Sequence, residues 1–241
     1  MSKFRPVVLE MLSGSRNRNL NTVTSDVDIK QFLMPTFEDL YTGEVFKDFK
    51  PTPEKDVEIH DIRRLEQLLY KANMTYIELL FAVEINTYGH KAMQKLIDMR
   101  EEIARMNLWK FYKSSMGMYN RQMKDMQNAT SHTNKQMIQE YGYIPKKGMM
   151  ALHFLRVVKK YHASGFTDFA NSIWYTGAER DEMLDYKHGS LTYKEMTDLL
   201  HKEYAETILL EEDYQKQDFN EDTYIRLQEL LRTFVFDNFV R

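Results

Sequence analysis

The chain has 241 residues, 43% hydrophobic and 29% charged, a globular composition with enough length for one large domain or two modest ones. A formal net charge of -3 excludes a polycation that coats nucleic acid, so any polyanion must meet a local basic patch. The absence of cysteine excludes disulfides, thiolate zinc sites and cysteine nucleophiles, and it suits a reducing cytoplasm, the expected location. No apolar run approaches the roughly 20 residues that cross a bilayer. Met1-Ser2-Lys3-Phe4-Arg5 leads into an apolar stretch without a small-residue cleavage site, so neither a membrane span nor a signal peptide is expected.

Val7-Val8-Leu9-Glu10-Met11-Leu12 reads as a strand that stops at the turn Ser13-Gly14-Ser15. Thr24 to Phe32 alternates, with Val27 and Ile29 on one face and Asp26 and Asp28 on the other. Pro35, Gly43, Pro51 and Pro53 make the next segment a loop region with one short helix, Phe37 to Tyr41. Asp56 to His60 alternates again, placing Asp56, Glu58 and His60 on one side. Beyond Asp61 the pattern becomes helical: Ile62 to Tyr70, Tyr76 to Phe81, His90 to Trp109 and Lys110 to Met126. Gln127 to Lys135 reads as a polar connection, followed by helices over Lys147 to His162, Leu191 to Glu211 and Asp222 to Asn238. The fold class is therefore α/β (α+β), a small mixed sheet followed by a helical region. The domain boundary is expected near residue 85, with 1–85 as an α/β core and 86–241 as a helical domain packed on it.

Two features carry chemistry. Glycine in the Gly14-Ser15-Arg16 turn lets the backbone approach a ligand closely, while Ser15 adds a hydroxyl and Arg16 a guanidinium fork suited to phosphate. In Ser25-Asp26-Val27-Asp28 the two acids project to one strand face, with attachment points about 6.5 Å apart. Carboxylate heads drawn to about 5 Å would repel by about 3 kcal/mol at an effective dielectric near 20. Water or a cation must offset that, so the pair is either a wet strand face or a metal site. Magnesium, or manganese in its place, takes a few carboxylates together with substrate phosphates.

The run from Gly14 through Asn17, Arg18, Asn19, Leu20, Asn21, Thr22, Val23 and Thr24 to Ser25-Asp26-Val27-Asp28 resembles the polymerase-β nucleotidyltransferase superfamily. There a Gly-Ser turn precedes an Asp-x-Asp strand by a linker of this length, here eleven residues from Ser15 to Asp26. The resemblance implies a nucleoside triphosphate as substrate and a third carboxylate from a later strand, for which Asp56 and Glu58 are the candidates. Asp56 to Leu65, then Leu68 to Asn73 and Ile77-Glu78-Leu79-Leu80-Phe81, are similar to a narrower branch, the RlaP family. That family consists of nucleotidyltransferase-like proteins associated with RNA ligase and RNA repair, also carried by bacteriophages. It tends to show Asn-Pro where this chain has Asn73-Met74. Tyr143 to Lys147 leading into His153-Phe154-Leu155-Arg156 resembles the family's Lys and His-x-x-Arg helix, and Arg180 to Lys187, Gly189 and Glu195 resemble its closing pattern.

The expected catalytic set is Asp26, Asp28, Asp56 and Glu58, with Asp26, Asp28 and Glu58 as metal ligands for magnesium or manganese. Gly14, Ser15, Arg16, Ser25, Lys147, His153 and Arg156 are the expected triphosphate contacts. His153 and Arg156 nearly align on a helix, as a basic wall or as a solvated face with the histidine against the core. His60 reads as a hydrogen-bonded, partly buried histidine, and Arg63 and Arg64 as phosphate contacts or partners of nearby acids. Tyr112 and Tyr119 among Lys110, Lys113 and Arg121 suit either a single-strand binder or an amphipathic helix. The expected activity is NTP- and metal-dependent nucleotidyl transfer to a hydroxyl acceptor, an RNA or tRNA end first. The alternative is a non-catalytic or antitoxin-type module with a protein partner. No membrane partner is expected.

Overall fold

The computed structural model describes residues 4–52 and 55–240; Met1 to Lys3 of the chain's start and Pro53 of the expected loop lie outside them. These residues form one five-stranded mixed sheet and thirteen helices, and no helix among them is long and apolar enough to cross a membrane. They divide into two compact units, one of residues up to 107 together with those from 219 onward, the other of residues 108–218.

The first unit holds the sheet. Strand β1 (Val7–Ser13) is the β-branched apolar run, with Val8, Leu9 and Met11 buried, and β2 (Val27–Leu33) is the Asp-x-Asp segment. Helix α1 (Phe37–Thr42) starts at a capping box in which Thr36 and Asp39 satisfy each other's backbone amides, while Arg5 binds the Asp39 carboxylate at 2.7 and 2.8 Å. Strands β3 (Lys47–Pro51) and β4 (Lys55–Asp61) form a hairpin, and β5 (Ile85–Asn86) is a short edge. The strand order is β3-β4-β2-β1-β5, with β2 and β4 parallel and the other neighbours antiparallel. The expected loop between Gly43 and Pro53 thus contains a strand. All five of its residues are exposed, so no apolar alternation announces it.

Helices α2 (Arg64–Tyr70) and α3 (Met74–Leu79) bury Leu65, Leu69, Ile77 and Leu79. Asn73 caps α3, its side chain accepting from the Thr75 amide, so Met74 occupies the first helical position. That position also tolerates proline, because its amide makes no intrahelical bond. The expected single helix from His90 to Trp109 is instead α4 (Lys91–Asp98) and α5 (Arg100–Arg105), broken at Met99 where the backbone turns to φ -83°, ψ 1°.

The structure divides elsewhere than near residue 85 because α4 and α5 belong with the sheet, and the last helix, α13 (Glu221–Val240), returns to them. It packs on α2, α4 and α5, with Leu227, Leu231 and Phe234 buried, Phe234 edge-on to the His90 ring at 5.2 Å, and Tyr224 and Gln228 hydrogen-bonded to Glu66.

The second unit contains α6 (Leu108–Asp125), α7 (His132–Tyr141), α8 (Pro145–Ala163), α9 (Phe169–Ile173), α10 (Gly177–Lys187), α11 (Tyr193–Ile208) and α12 (Glu211–Gln215). Helix α8 begins with proline at its first turn and is its most buried element. An aromatic cluster of Phe111, Tyr161, Phe166, Phe169 and Tyr214 closes around it. Helix α7 replaces half of the expected polar connection; it buries none of its residues, so no apolar stripe marks it. Gly189 and Glu195 have structural roles: a Cβ at Gly189 would lie 2.5 Å from the Tyr141 ring, and Glu195 closes a capping box on Thr192.

If α13 completes the core of the first unit, Leu227→Ala removes a fully buried side chain. It should cost about 3 kcal/mol of that unit's stability in urea unfolding. A loss under about 1 kcal/mol would show that the helix packs only loosely.

Candidate active site

The sheet register lays out one face as three rungs running across β3, β4 and β2. The first is Pro51, Asp56 and Asp28; the second Phe49, Glu58 and Lys30; the third Lys47, His60 and Phe32. Residues directly opposite on neighbouring strands share a face at a strand spacing of about 4.8 Å, so Asp28 and Asp56 stand side by side. Asp26 is exposed, just ahead of the first residue of β2.

The Gly14 turn lies over this first rung. Gly14 has φ +70°, and a Cβ placed on it would fall 1.9 Å from Oδ2 of Asp28. Glycine is therefore required twice, for the left-handed backbone and because the Asp28 carboxylate occupies the space of a side chain. After Ser15 the chain makes a 3-10 turn, Arg16–Arg18. The Arg16 guanidinium reaches the Ser25 carbonyl at 3.3 Å, and its Nε is buried with no hydrogen-bond partner. The Ser25 hydroxyl accepts from the Thr22 amide at 2.9 Å and so closes the turn that leads into the acids.

Two residues of that turn anchor it. Arg18 and Glu78 of α3 are both buried and paired, with Nη2 to Oε2 at 2.6 Å and Nε to the two carboxylate oxygens at 3.1 and 3.3 Å. Beside them the Asn17 amide donates to the Glu78 carbonyl at 3.0 Å and accepts from the Val83 amide at 3.1 Å. Sequence reasoning missed this anchor as a site element. The available signal was Glu78 itself, a charge within Ile77-Glu78-Leu79-Leu80, because a buried charge needs a partner.

The second rung is electrically closed. Oε1 of Glu58 accepts from His60 Nε2 at 3.1 Å and from Lys47 Nζ at 2.7 Å, and Oε2 accepts from Lys30. These contacts, the His60 hydrogen bond foremost, hold the Glu58 carboxyl well below the usual carboxylate range. A carboxylate only accepts, so His60 must carry its proton on Nε2, and its buried Nδ1 is left without a partner. His60 lies against Phe32 at 5.4 Å and edge-on to Tyr76 of α3 at 5.7 Å. Burial and the Glu58 charge push the Tyr76 hydroxyl up to about 12. His60 is hydrogen-bonded as expected, and it is fully rather than partly buried. Arg63 closes on Asp61 and the Glu44 carbonyl.

Lys147, His153 and Arg156 lie on α8 of the second unit, where the expected basic wall is instead a set of internally engaged side chains. His153 is wholly buried, sharing a 2.9 Å hydrogen bond with the Tyr175 hydroxyl. Arg156 binds Glu182 at 2.6 Å, and Lys147 stands 3.9 Å from Asp125. Of the two readings of this helix, the one with the histidine against the core fits His153.

The aspartates offer hard oxygen donors, the type that magnesium takes, and Gly14, lacking a Cβ, leaves room for the Asp28 carboxylate beneath the turn. No group of three or more His, Asp or Glu side chains among the described residues is gathered closely enough to hold an ion alone. An ion held here would need substrate phosphates beside one or two of these carboxylates. The residues present fit such an ion.

A family model described as RlaP, the RNA repair pathway DNA polymerase beta family, matches residues 2–235 of the 241. No curated protein matches the chain.

Two outcomes test this geometry. Arg18→Met strands the Glu78 charge in the interior and should cost about 3–5 kcal/mol in urea unfolding. Adding Glu78→Leu should restore most of that, and an uncorrected double variant would contradict the pairing. Because the Glu58 carboxyl is depressed in the fold, its clamp stabilises fully above the unfolded carboxylate range, and that contribution is lost as pH falls from there to the lowered folded value. Glu58→Gln should therefore flatten the decline of stability between about pH 5 and pH 2. Unchanged slopes would remove the clamp from the account.

Proposed function

The chain belongs to the RlaP family, the RNA repair pathway DNA polymerase beta family, and from that premise we propose that it transfers a nucleotidyl group from a nucleoside triphosphate to a hydroxyl at an RNA end. Membership supports a nucleotidyltransferase-type function in RNA repair; the metal, the triphosphate and the RNA acceptor are our reading. The observation that carries it is the contrast between adjacent rungs. Lys30, Lys47 and His60 all converge on Glu58, whereas Asp28 and Asp56 lie together beneath the Gly14 turn. Two carboxylates level on adjacent strands are the donors that a magnesium ion shares with substrate phosphates.

Asp28 and Asp56 would share magnesium or manganese with the substrate phosphates, and Asp26, exposed just ahead of β2, would join them only once the ion is bound; that ion neutralises phosphate charge and makes the acceptor hydroxyl more acidic. Gly14, Ser15 and Arg16 bind the triphosphate, with the glycine allowing close approach and the guanidinium opposing phosphate charge. The acceptor oxygen attacks the α-phosphorus, the bond to the β-phosphate breaks, and pyrophosphate leaves. Asp56 accepts the hydroxyl proton. Glu58 leaves the set of metal ligands in this reading, because both its oxygens are taken by Lys30, Lys47 and His60. Ser25 supports the loop, and Lys147, His153 and Arg156 stabilise the helical unit.

The test is transfer of label from α-labelled NTPs to RNA with free 3′ or 5′ hydroxyls. Asp28→Asn should abolish it, and Asp56→Asn should lower kcat by about a hundredfold or more without unfolding the protein. Glu58→Gln should lose about 2 kcal/mol of stability yet keep measurable transfer. If Glu58→Gln is dead while folded and Asp56→Asn is active, the third carboxylate is Glu58. If the wild type binds NTP but transfers nothing to any acceptor, the catalytic reading is wrong.

A further inference from the structure

The outer face of α13 carries two large, exposed apolar side chains. Ile225 is 52% exposed and Phe236 62%, on a helix whose opposite face buries Leu227, Leu231 and Phe234. At about 100° per residue, Ile225, Glu229, Arg232 and Phe236 fall within about 60° of arc and form one outward stripe about 16 Å long. All four line a groove of about 650 Å³ beside the helix, and its other wall, from α1 and α2, includes Leu40. On α1, Phe37 and Tyr41 stack at 6.4 Å and are also mostly exposed, so the helix that supplies Leu40 is itself apolar outward. Exposed apolar surface gathered in this way marks a contact site.

The order of groups along the stripe selects its partner. Glu229 and Arg232 stand one turn apart, a spacing that allows a pair within one helix. Both are exposed, however, and neither forms an ion pair among the described residues. In chain order the stripe runs apolar, acid, base, apolar, and a two-fold axis midway between Glu229 and Arg232 turns it onto its own complement. In a second copy laid antiparallel about that axis, Glu229 comes level with the partner's Arg232, and Arg232 with the partner's Glu229. Ile225 comes level with the partner's Phe236, and the same contact repeats at the other end. Arg226 meets Val235 and Gln228 meets Thr233, so no like charges face each other. A parallel, in-register pairing would instead set acid on acid and base on base, which is repulsive.

We propose that α13 is a homodimerisation surface, on which two copies of the chain pair antiparallel about a two-fold axis between Glu229 and Arg232. The reciprocal ion pairs fix register and orientation. Each Phe236 fills the Ile225 end of the partner's groove and supplies buried apolar area. The surface contains none of the residues assigned to nucleotidyl transfer, so the dimer stands apart from that reading.

The experiment is sedimentation velocity of the full chain over a wide concentration range. Wild type is compared with Glu229→Arg, Arg232→Glu, the double variant carrying both, and Phe236→Ala. Wild type should sediment as a monomer–dimer equilibrium. Each charge reversal alone sets like charges across the axis and should weaken the dimer about tenfold or more. The double variant restores the complement and should return to within about threefold of wild type. Phe236→Ala should weaken the dimer about tenfold. Unfolding midpoints of the diluted proteins should stay together, because every substituted side chain is exposed. A wild type that stays monomeric throughout would leave the groove to a different protein or a small ligand and overturns the inference. Dimers that neither charge reversal weakens would place the interface elsewhere, and a double variant as weak as the singles would exclude the antiparallel register. Assembly beyond two copies also contradicts it, since a two-fold contact closes at the dimer.

Discussion

The buried pair of Arg18 and Glu78 is the constraint from which the site follows. The segment joining β1 to β2 is almost entirely polar, and Leu20 is its one fully buried apolar side chain, so hydrophobic packing alone cannot hold it. Burying two charges carries a desolvation penalty of several kcal/mol that only good geometry offsets. Here the guanidinium meets both carboxylate oxygens, and Asn17 adds two hydrogen bonds to the same stretch of backbone. The result is a turn fixed to α3. The same helix presents Tyr76 to His60 and Lys30, so one element sets both the loop above the carboxylates and the neutralised rung beside them.

That arrangement explains why two acids two residues apart on one strand differ so much. Glu58 is surrounded by two ammonium groups and an imidazole and is a structural counter-ion. Asp56 is one rung nearer the glycine turn, level with Asp28. A strand that alternates cleanly cannot tell its own acids apart. The donor groups that decide between them come from β2, β3 and the far end of β4, and only the register brings them together.

Legibility in the sequence followed burial. Strands β1, β2 and β4 and helices α8, α11 and α13 each bury a face, and each was visible as a period of two or of 3.6. Strand β3 and helix α7 bury nothing, so they left no pattern; a proline-rich neighbourhood and a polar run were all the sequence offered there. The return of α13 to the first unit was also invisible, because partners more than a hundred residues apart leave no local trace. At the site, the spacing of Gly14-Ser15 and Asp26-Val27-Asp28 was readable, and the structure gives the spacing a cause: the glycine is where the Asp28 carboxylate needs room. The Arg18–Glu78 pair was not readable, since neither residue names its partner across sixty positions.

The central claim is that Asp28 and Asp56, and not Glu58, form the metal-binding rung under the glycine turn. Anomalous diffraction from crystals soaked with manganese and a nonhydrolysable NTP tests it most directly. The account predicts manganese coordinated by Asp28 and Asp56, with the triphosphate against Gly14 and Ser15. Manganese bound to Glu58 with Lys30 and Lys47 displaced, or a triphosphate seated away from the glycine turn, would contradict it.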